Sequence, residues 1–132
     1  MASIFSKIVQ GEIPSHKIAE TEEFLAFLDA FPITRGHVLV IPKVEIDYLF
    51  DLDEGLFTRL MLFARSIVPA LEKTVPCKRI GVSVIGLEVP HAHVHLLPLN
   101  SMTDADFTKK IKITQEELAD LASQIRSNLN LS

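Results

Sequence analysis

Cysteine is nearly absent. Cys77 stands alone, so no intramolecular disulfide can form and nothing points to an oxidising compartment. Taken by itself, Cys77 reads as a small buried hydrophobe. Long apolar runs are missing as well; none approaches the roughly 20 residues that span a bilayer. The opening Met1-Ala2-Ser3-Ile4-Phe5-Ser6-Lys7 has no basic segment leading into an apolar one, so no signal peptide is read there. These absences give the expectation of a cytoplasmic protein without a membrane partner. Excess positive charge is lacking too. Thirteen Lys and Arg face 17 Asp and Glu, a net charge of −4, which excludes a general nucleic-acid binder that captures phosphates with a basic field. A small nucleotide can still be held by local donors and dipoles. There is no repeat, low-complexity tract or linker-like stretch, so residues 1–132 are expected to form one domain. Of these residues 48% are hydrophobic and 23% charged, which suits a globular core built without disulfides or structural metal.

The elements follow from periodicity and punctuation. Ile4 to Val9 reads as a short helix stopped by Gly11 and Pro14. Lys17–Glu20 and Phe24–Asp29 read as strands joined by a polar turn, and His37–Ile41, bounded by Gly36 and Pro42, as a buried strand. Asp51 offers an N-cap with Glu54 three residues on. The helix that follows has Phe57, Leu60, Ala64, Ile67 and Leu71 on one stripe. Leu56, Met61, Leu62 and Phe63 fall outside it, a second apolar side that suits a subunit interface. Pro69 is expected to kink or weaken the last turns. Arg79–Ile85 and the histidine-rich segment to Leu99 read as antiparallel neighbours. Thr114 and Glu117 form a capping-box pattern before a last helix carrying Leu118, Leu121, Ala122, Ile125 and Leu129. The sum is an α+β fold with a mostly antiparallel sheet of about five strands, one long central helix and a C-terminal helix.

Three of the five histidines fall in His91-Ala92-His93-Val94-His95. On a strand these alternate with apolar residues, so the three imidazoles share one face while Ala92 and Val94 pack inward. A purely structural role and a metal site compete with catalysis. At about 3.3 Å per residue, His91 and His95 lie roughly 13 Å apart, too far for all three to reach one ion; two could, with other ligands. No CxxC, HExxH or flanking carboxylate supports a metal, and none is expected. The catalytic arrangement uses all three. A neutral imidazole attacks phosphorus when its other nitrogen is held by an acceptor such as a backbone carbonyl. The flanking rings can contact phosphoryl oxygens or pass a proton.

The run His91-Ala92-His93-Val94-His95-Leu96-Leu97-Pro98 resembles the signature of the histidine-triad family of nucleotide hydrolases and transferases. Two further blocks are similar: Ile4-Phe5-Ser6-Lys7-Ile8-Val9 with Gly11-Glu12-Ile13-Pro14, and Phe27-Leu28-Asp29, Pro32 and Gly36 to Lys43. The resemblance covers Ile4 to Pro98 and is closest to the small adenosine-phosphoramidase branch. It implies His93 as the nucleophile and His91 as the residue whose carbonyl orients it. It also implies His95 beside phosphate and leaving group, and His37 as a fourth histidine behind the triad. Asp29 is implied to hold the ribose hydroxyls, with Phe5, Ile8, Phe27 and Leu39 lining a base pocket. No cofactor is implied. A homodimer and a purine nucleotide are.

The chain departs from the family pattern before the triad. Gly86-Leu87-Glu88-Val89-Pro90 stands where Gly-Gln and a hydroxyl residue are usual, the loop from Ser83 to Gly86 is short, and Leu99 replaces a common basic residue. Leu87 cannot donate to a phosphate. The expected function is hydrolysis at the α-phosphorus of nucleoside phosphoramidates or related conjugates through a nucleotidyl-histidine. The alternatives are a nucleotide-binding or scaffold protein with little chemistry, and a dinucleoside polyphosphate hydrolase.

Overall fold

The computed structural model describes residues 2–129; Met1 and residues 130–132, the ends of the span read as one domain, lie outside them. Helix α1 (Ile4–Val9) is followed by strands β1 (His16–Glu20), β2 (Phe24–Leu28) and β3 (Val38–Pro42). Helix α2 (Glu54–Thr74) leads to β4 (Arg79–Ser83) and β5 (Val94–Leu99), and α3 (Gln115–Asn128) comes last. The five strands form one sheet in the order β1-β2-β3-β5-β4, with antiparallel pairing throughout. The fold is α+β, as the alternation of elements suggested.

Both faces of the central strands are covered, which is why Phe24–Leu28 and Val38–Pro42 are apolar without interruption. One face sends Phe24, Ala26, Val38, Val40, Val94 and Leu96 against α2 and α3. The other sends Leu25, Phe27, Leu39 and Ile41 against Phe5 and Ile8 of α1. Gly36 turns the chain into β3 at φ +88, and a Cβ there would lie 2.9 Å from Val75 Cγ2. Only glycine meets both demands.

Several boundaries differ from expectation, each for a local reason. Asp51 closes a 3-10 turn, Leu49–Asp51, instead of capping α2. The helix starts later, with Asp53 Oδ1 accepting from Leu56 N at 2.8 Å. The stripe Leu60, Ala64, Ile67 and Leu71 is buried, whereas Phe57 is half-buried and Leu62 is exposed. Helix α2 runs on through Pro69 to Thr74. Strand β4 stops at Ser83 and β5 starts only at Val94, so His91 and His93 precede the ladder. The amides there are engaged elsewhere: His91 N–H bonds Val89 O and Ala92 N–H bonds Ile46 O. The capping box at Thr114 and Glu117 forms as expected, and Leu118, Leu121, Ala122 and Ile125 are buried behind it. Cys77 is half-buried, not buried, and desolvation raises its thiol pKa.

Candidate active site

Strand register builds the floor of the site. Phe27 on β2 pairs with Leu39 on β3, and Leu39 pairs with His95 on β5. The three side chains therefore stand in one row across the sheet. Ala92, Val94 and Leu96 enter the core beneath α2, which puts the three histidines of the run on the opposite face, as alternation requires. A cavity of about 580 Å³ opens over this row. Phe5, Ile8, Phe27 and Leu39 line its apolar end, and Asp29, His93 and His95 line its polar part.

Hydrogen bonds to the backbone fix the ring tautomers. His93 Nδ1 lies 2.7 Å from the carbonyl oxygen of His91, which can only accept, so Nδ1–H donates. In the neutral ring the lone pair then sits on Nε2, which has no hydrogen-bond partner among the described residues. His37 is set the other way. Ile33 N–H donates to His37 Nδ1 at 3.2 Å, so the proton of the neutral ring is on Nε2. That Nε2–H points at His95 Nδ1, 2.8 Å away, and places the His95 proton on its own Nε2. Burial pushes both His37 and His95 down to about 3, so both rings are neutral at physiological pH.

His91 does not face the cavity. Its ring is fully buried beneath the start of α1, so the expected contact of this imidazole with phosphoryl oxygens is not met. Nε2–H donates to Pro42 O at 2.7 Å, and Nδ1 accepts from Ser3 Oγ at 2.8 Å. Desolvation lowers its pKa, opposed by the Pro42 carbonyl and by Glu45. Glu45 accepts from Ser3 N–H and, at 2.7 Å, from Ser6 Oγ. These bonds hold the Glu45 carboxyl down at about 2. Ser3, Ser6 and Glu45 thus lock α1 onto His91, whose carbonyl aims His93. The sequence reading missed all three because each is an ordinary polar residue at a helix start or in a loop.

Asp29 lies at the cavity edge. Its Oδ1 accepts from Phe31 N–H at 2.8 Å, and Oδ2 is 3.6 Å from His37 Nε2. Asp29, His37 and His95 have ligand atoms within 4.8 Å of one another. The hydrogen bonds disfavour a metal there: His37 Nε2 carries a proton because Ile33 N–H occupies Nδ1, and His95 Nδ1 receives that proton's bond. Ligation by either nitrogen breaks the chain of bonds. Two further lining residues, Phe107 and Lys110, come from the irregular segment before α3, where no periodicity marked them. The ring of Phe107 stands edge-on to His95 with centroids 4.9 Å apart.

An open antiparallel sheet that sets His93, aimed by the His91 carbonyl, and His95 against one cavity defines a class of small nucleotide-handling proteins. The chain belongs to the HIT domain family, whose domain matches residues 10–102. The adenosine 5'-monophosphoramidase HNT1 of Saccharomyces cerevisiae is 34% identical over 91% of this chain and 83% of its own length. A HIT-like protein from Bartonella henselae, described as involved in cell-cycle regulation, superposes with a TM-score of 0.84 at 30% identity over 96% of each chain. A zinc-bound histidine triad family protein from Mycobacterium smegmatis reaches the same TM-score, 0.84, at 26% identity over 98% of this chain and 94% of that one.

Proposed function

We propose that the protein hydrolyses the α-phosphorus bond of nucleoside phosphoramidates or related nucleoside phosphate conjugates and releases a nucleoside monophosphate. One observation carries this reading: the His91 carbonyl, 2.7 Å from His93 Nδ1, leaves the Nε2 lone pair of the neutral ring free on the cavity side. His93 attacks the α-phosphorus, the bond to the leaving group breaks, and a nucleotidyl-histidine forms. Water then attacks the phosphorus, and the nucleotide leaves with imidazole restored. His95 offers Nε2–H to a phosphoryl oxygen or the leaving atom. The chain of bonds behind it ends at the Ile33 amide, which cannot surrender a proton, so His95 acts as a fixed hydrogen-bond donor; the leaving atom takes its proton from solvent, and the proton lost by the attacking water returns to solvent. Asp29 keeps acceptor capacity for ribose hydroxyls, and Phe5, Ile8, Phe27 and Leu39 receive a base, with purine favoured by the phosphoramidase relatives. The setting is the cytoplasm.

His93→Gly is expected to abolish AMP release from an adenosine phosphoramidate while AMP still binds. Undiminished turnover in that variant sinks the assignment. A second reading, a nucleotide-binding protein with little chemistry, is favoured by Leu87, which is 87% exposed on the cavity loop where a phosphate donor is usual. Tight AMP binding by the wild type with no adduct detectable by mass spectrometry decides for it.

The protein is further proposed to form a homodimer. The outer edge of β4 is unpaired in the described sheet and exposes Val82, and α2 exposes Leu62 nearby in sequence to half-buried Phe63. A second copy extending the sheet would cover such an edge. Sedimentation at micromolar concentration should give twice the chain mass; a monomer removes this part.

A further inference from the structure

Four rings follow one another in contact along the site. The centroids of Phe5 and His93 are 5.0 Å apart, those of His93 and His95 4.9 Å, and those of His95 and Phe107 4.9 Å. The apolar pocket for a base lies at the Phe5 end. A base held by Phe5 and Phe27, whose centroids are 5.6 Å apart, would direct a group joined to the far side of the α-phosphorus past His95 toward Phe107. That end is built by a segment beyond residue 102, where the matched HIT domain stops. Ile111 N–H donates to Pro32 O at 2.9 Å and ties this segment across the loop that follows Asp29. Lys110, next to that tie, is the only lysine or arginine among the described residues that lines the cavity. It has no ion pair among the described residues, whereas its neighbour Lys109 faces Asp106 at 4.0 Å.

A phosphorylated substrate needs compensating charge, and His37 and His95 are neutral rings that supply none. The loop before the triad presents Leu87 and Glu88, neither of which attracts an anion. Glu88 does line the cavity. Lys110 shares the lining with Asp29, whose Oδ1 accepts from Phe31 N–H and whose charge also acts at His95.

We propose that Lys110, which lines the cavity with Phe107, forms a subsite for a negatively charged group attached to the α-phosphorus, so that the protein selects nucleotides whose leaving group is anionic. This rests on the α-phosphorus reading above and adds to it the class of leaving group.

The test uses the full chain and two non-hydrolysable adenosine ligands, measured by calorimetry. Adenosine 5'-methylenediphosphonate carries a charged phosphonate beyond the α-phosphorus, and adenosine 5'-ethylphosphonate carries a neutral ethyl group. The wild type should prefer the charged ligand. Lys110→Ala should weaken that ligand by about fivefold and leave the neutral one unchanged. Lys110→Arg should keep the preference and Lys110→Glu should reverse it. The preference should fade in about 0.5 M salt. Equal weakening of both ligands by Lys110→Ala, or no weakening of either, overturns the subsite. Absence of turnover on every phosphoramidate counts against the hydrolase reading alone, because the binding preference still decides the role of Lys110. Failure of the wild type to bind either ligand overturns both.

Discussion

Lowering the pH from 7 to 5 should destabilise this protein well before its carboxylates titrate. His37 and His95 are held neutral by burial, their pKa lowered from 6.5 to about 3, and both rings are almost inaccessible, 1% and 7% exposed. In the unfolded chain they take up protons as the pH falls through 6.5; in the folded chain they do not. The unfolded state then binds more protons, so stability falls with pH from about 6.5 down to about 3. At pH 5 the gap from the ordinary histidine value is about 1.5 units, or about 2 kcal/mol per ring at 1.36 kcal/mol per unit. The two rings share one hydrogen bond, so the joint loss lies between about 2 and 4 kcal/mol. His91, also lowered by desolvation, adds in the same direction. The chain has no tryptophan, so urea unfolding is best followed by far-UV circular dichroism at pH 7, 6 and 5. The midpoint should drop steadily with an unchanged slope. His37→Asn and His95→Asn should each remove about half of the drop. A midpoint that stays level over this range, or a drop that neither variant reduces, refutes the account of neutral buried rings.

Gly36→Ala forces a non-glycine residue to φ +88 and pushes a methyl against Val75, Pro98 and Leu71, so a loss of about 2 kcal/mol is expected. It should appear as a melting temperature lower by several degrees; an unshifted transition contradicts the packing described. Ser3→Ala removes the donor to the buried His91 Nδ1 and the cap on Ser6 N–H, at a cost of about 1–3 kcal/mol. Since the same bond steadies the residue that aims His93, turnover at saturating phosphoramidate should fall more than KM rises. A pure KM effect would show that α1 serves only the base pocket.

Much of the framework was legible because it rests on local rules. The punctuation by Gly36 and Pro42, the apolar stripe of α2 and the Thr114–Glu117 cap all report their own conformation. The histidine alternation told which side of the chain faces the site. It did not tell that the ladder begins only at Val94, because that depends on Ile46 O and Val89 O taking the neighbouring amides. Nor did it separate His91 from its fellows: a ring sealed under α1 and one lining a cavity have the same spacing in the sequence. Asp51 and Asp53 are chemically equal caps, and a 3-10 turn decided between them. Phe107 and Lys110 left no signal at all, since their segment has neither period nor motif and gains its meaning from long-range contacts, the Ile111 N–H bond to Pro32 O and the packing of Phe107 on His95.

The row Phe27, Leu39 and His95 has a consequence for how the molecule can fail. Sliding β3 by one residue against its neighbours would turn Leu39 toward α2, expose the base pocket and leave His95 facing the wrong partner in the same stroke. Chemistry and architecture therefore share one alignment, and a catalytic assay doubles as a gauge of strand registration. Inserting or deleting a single residue within Val38–Pro42 should silence the protein even where the sheet still assembles.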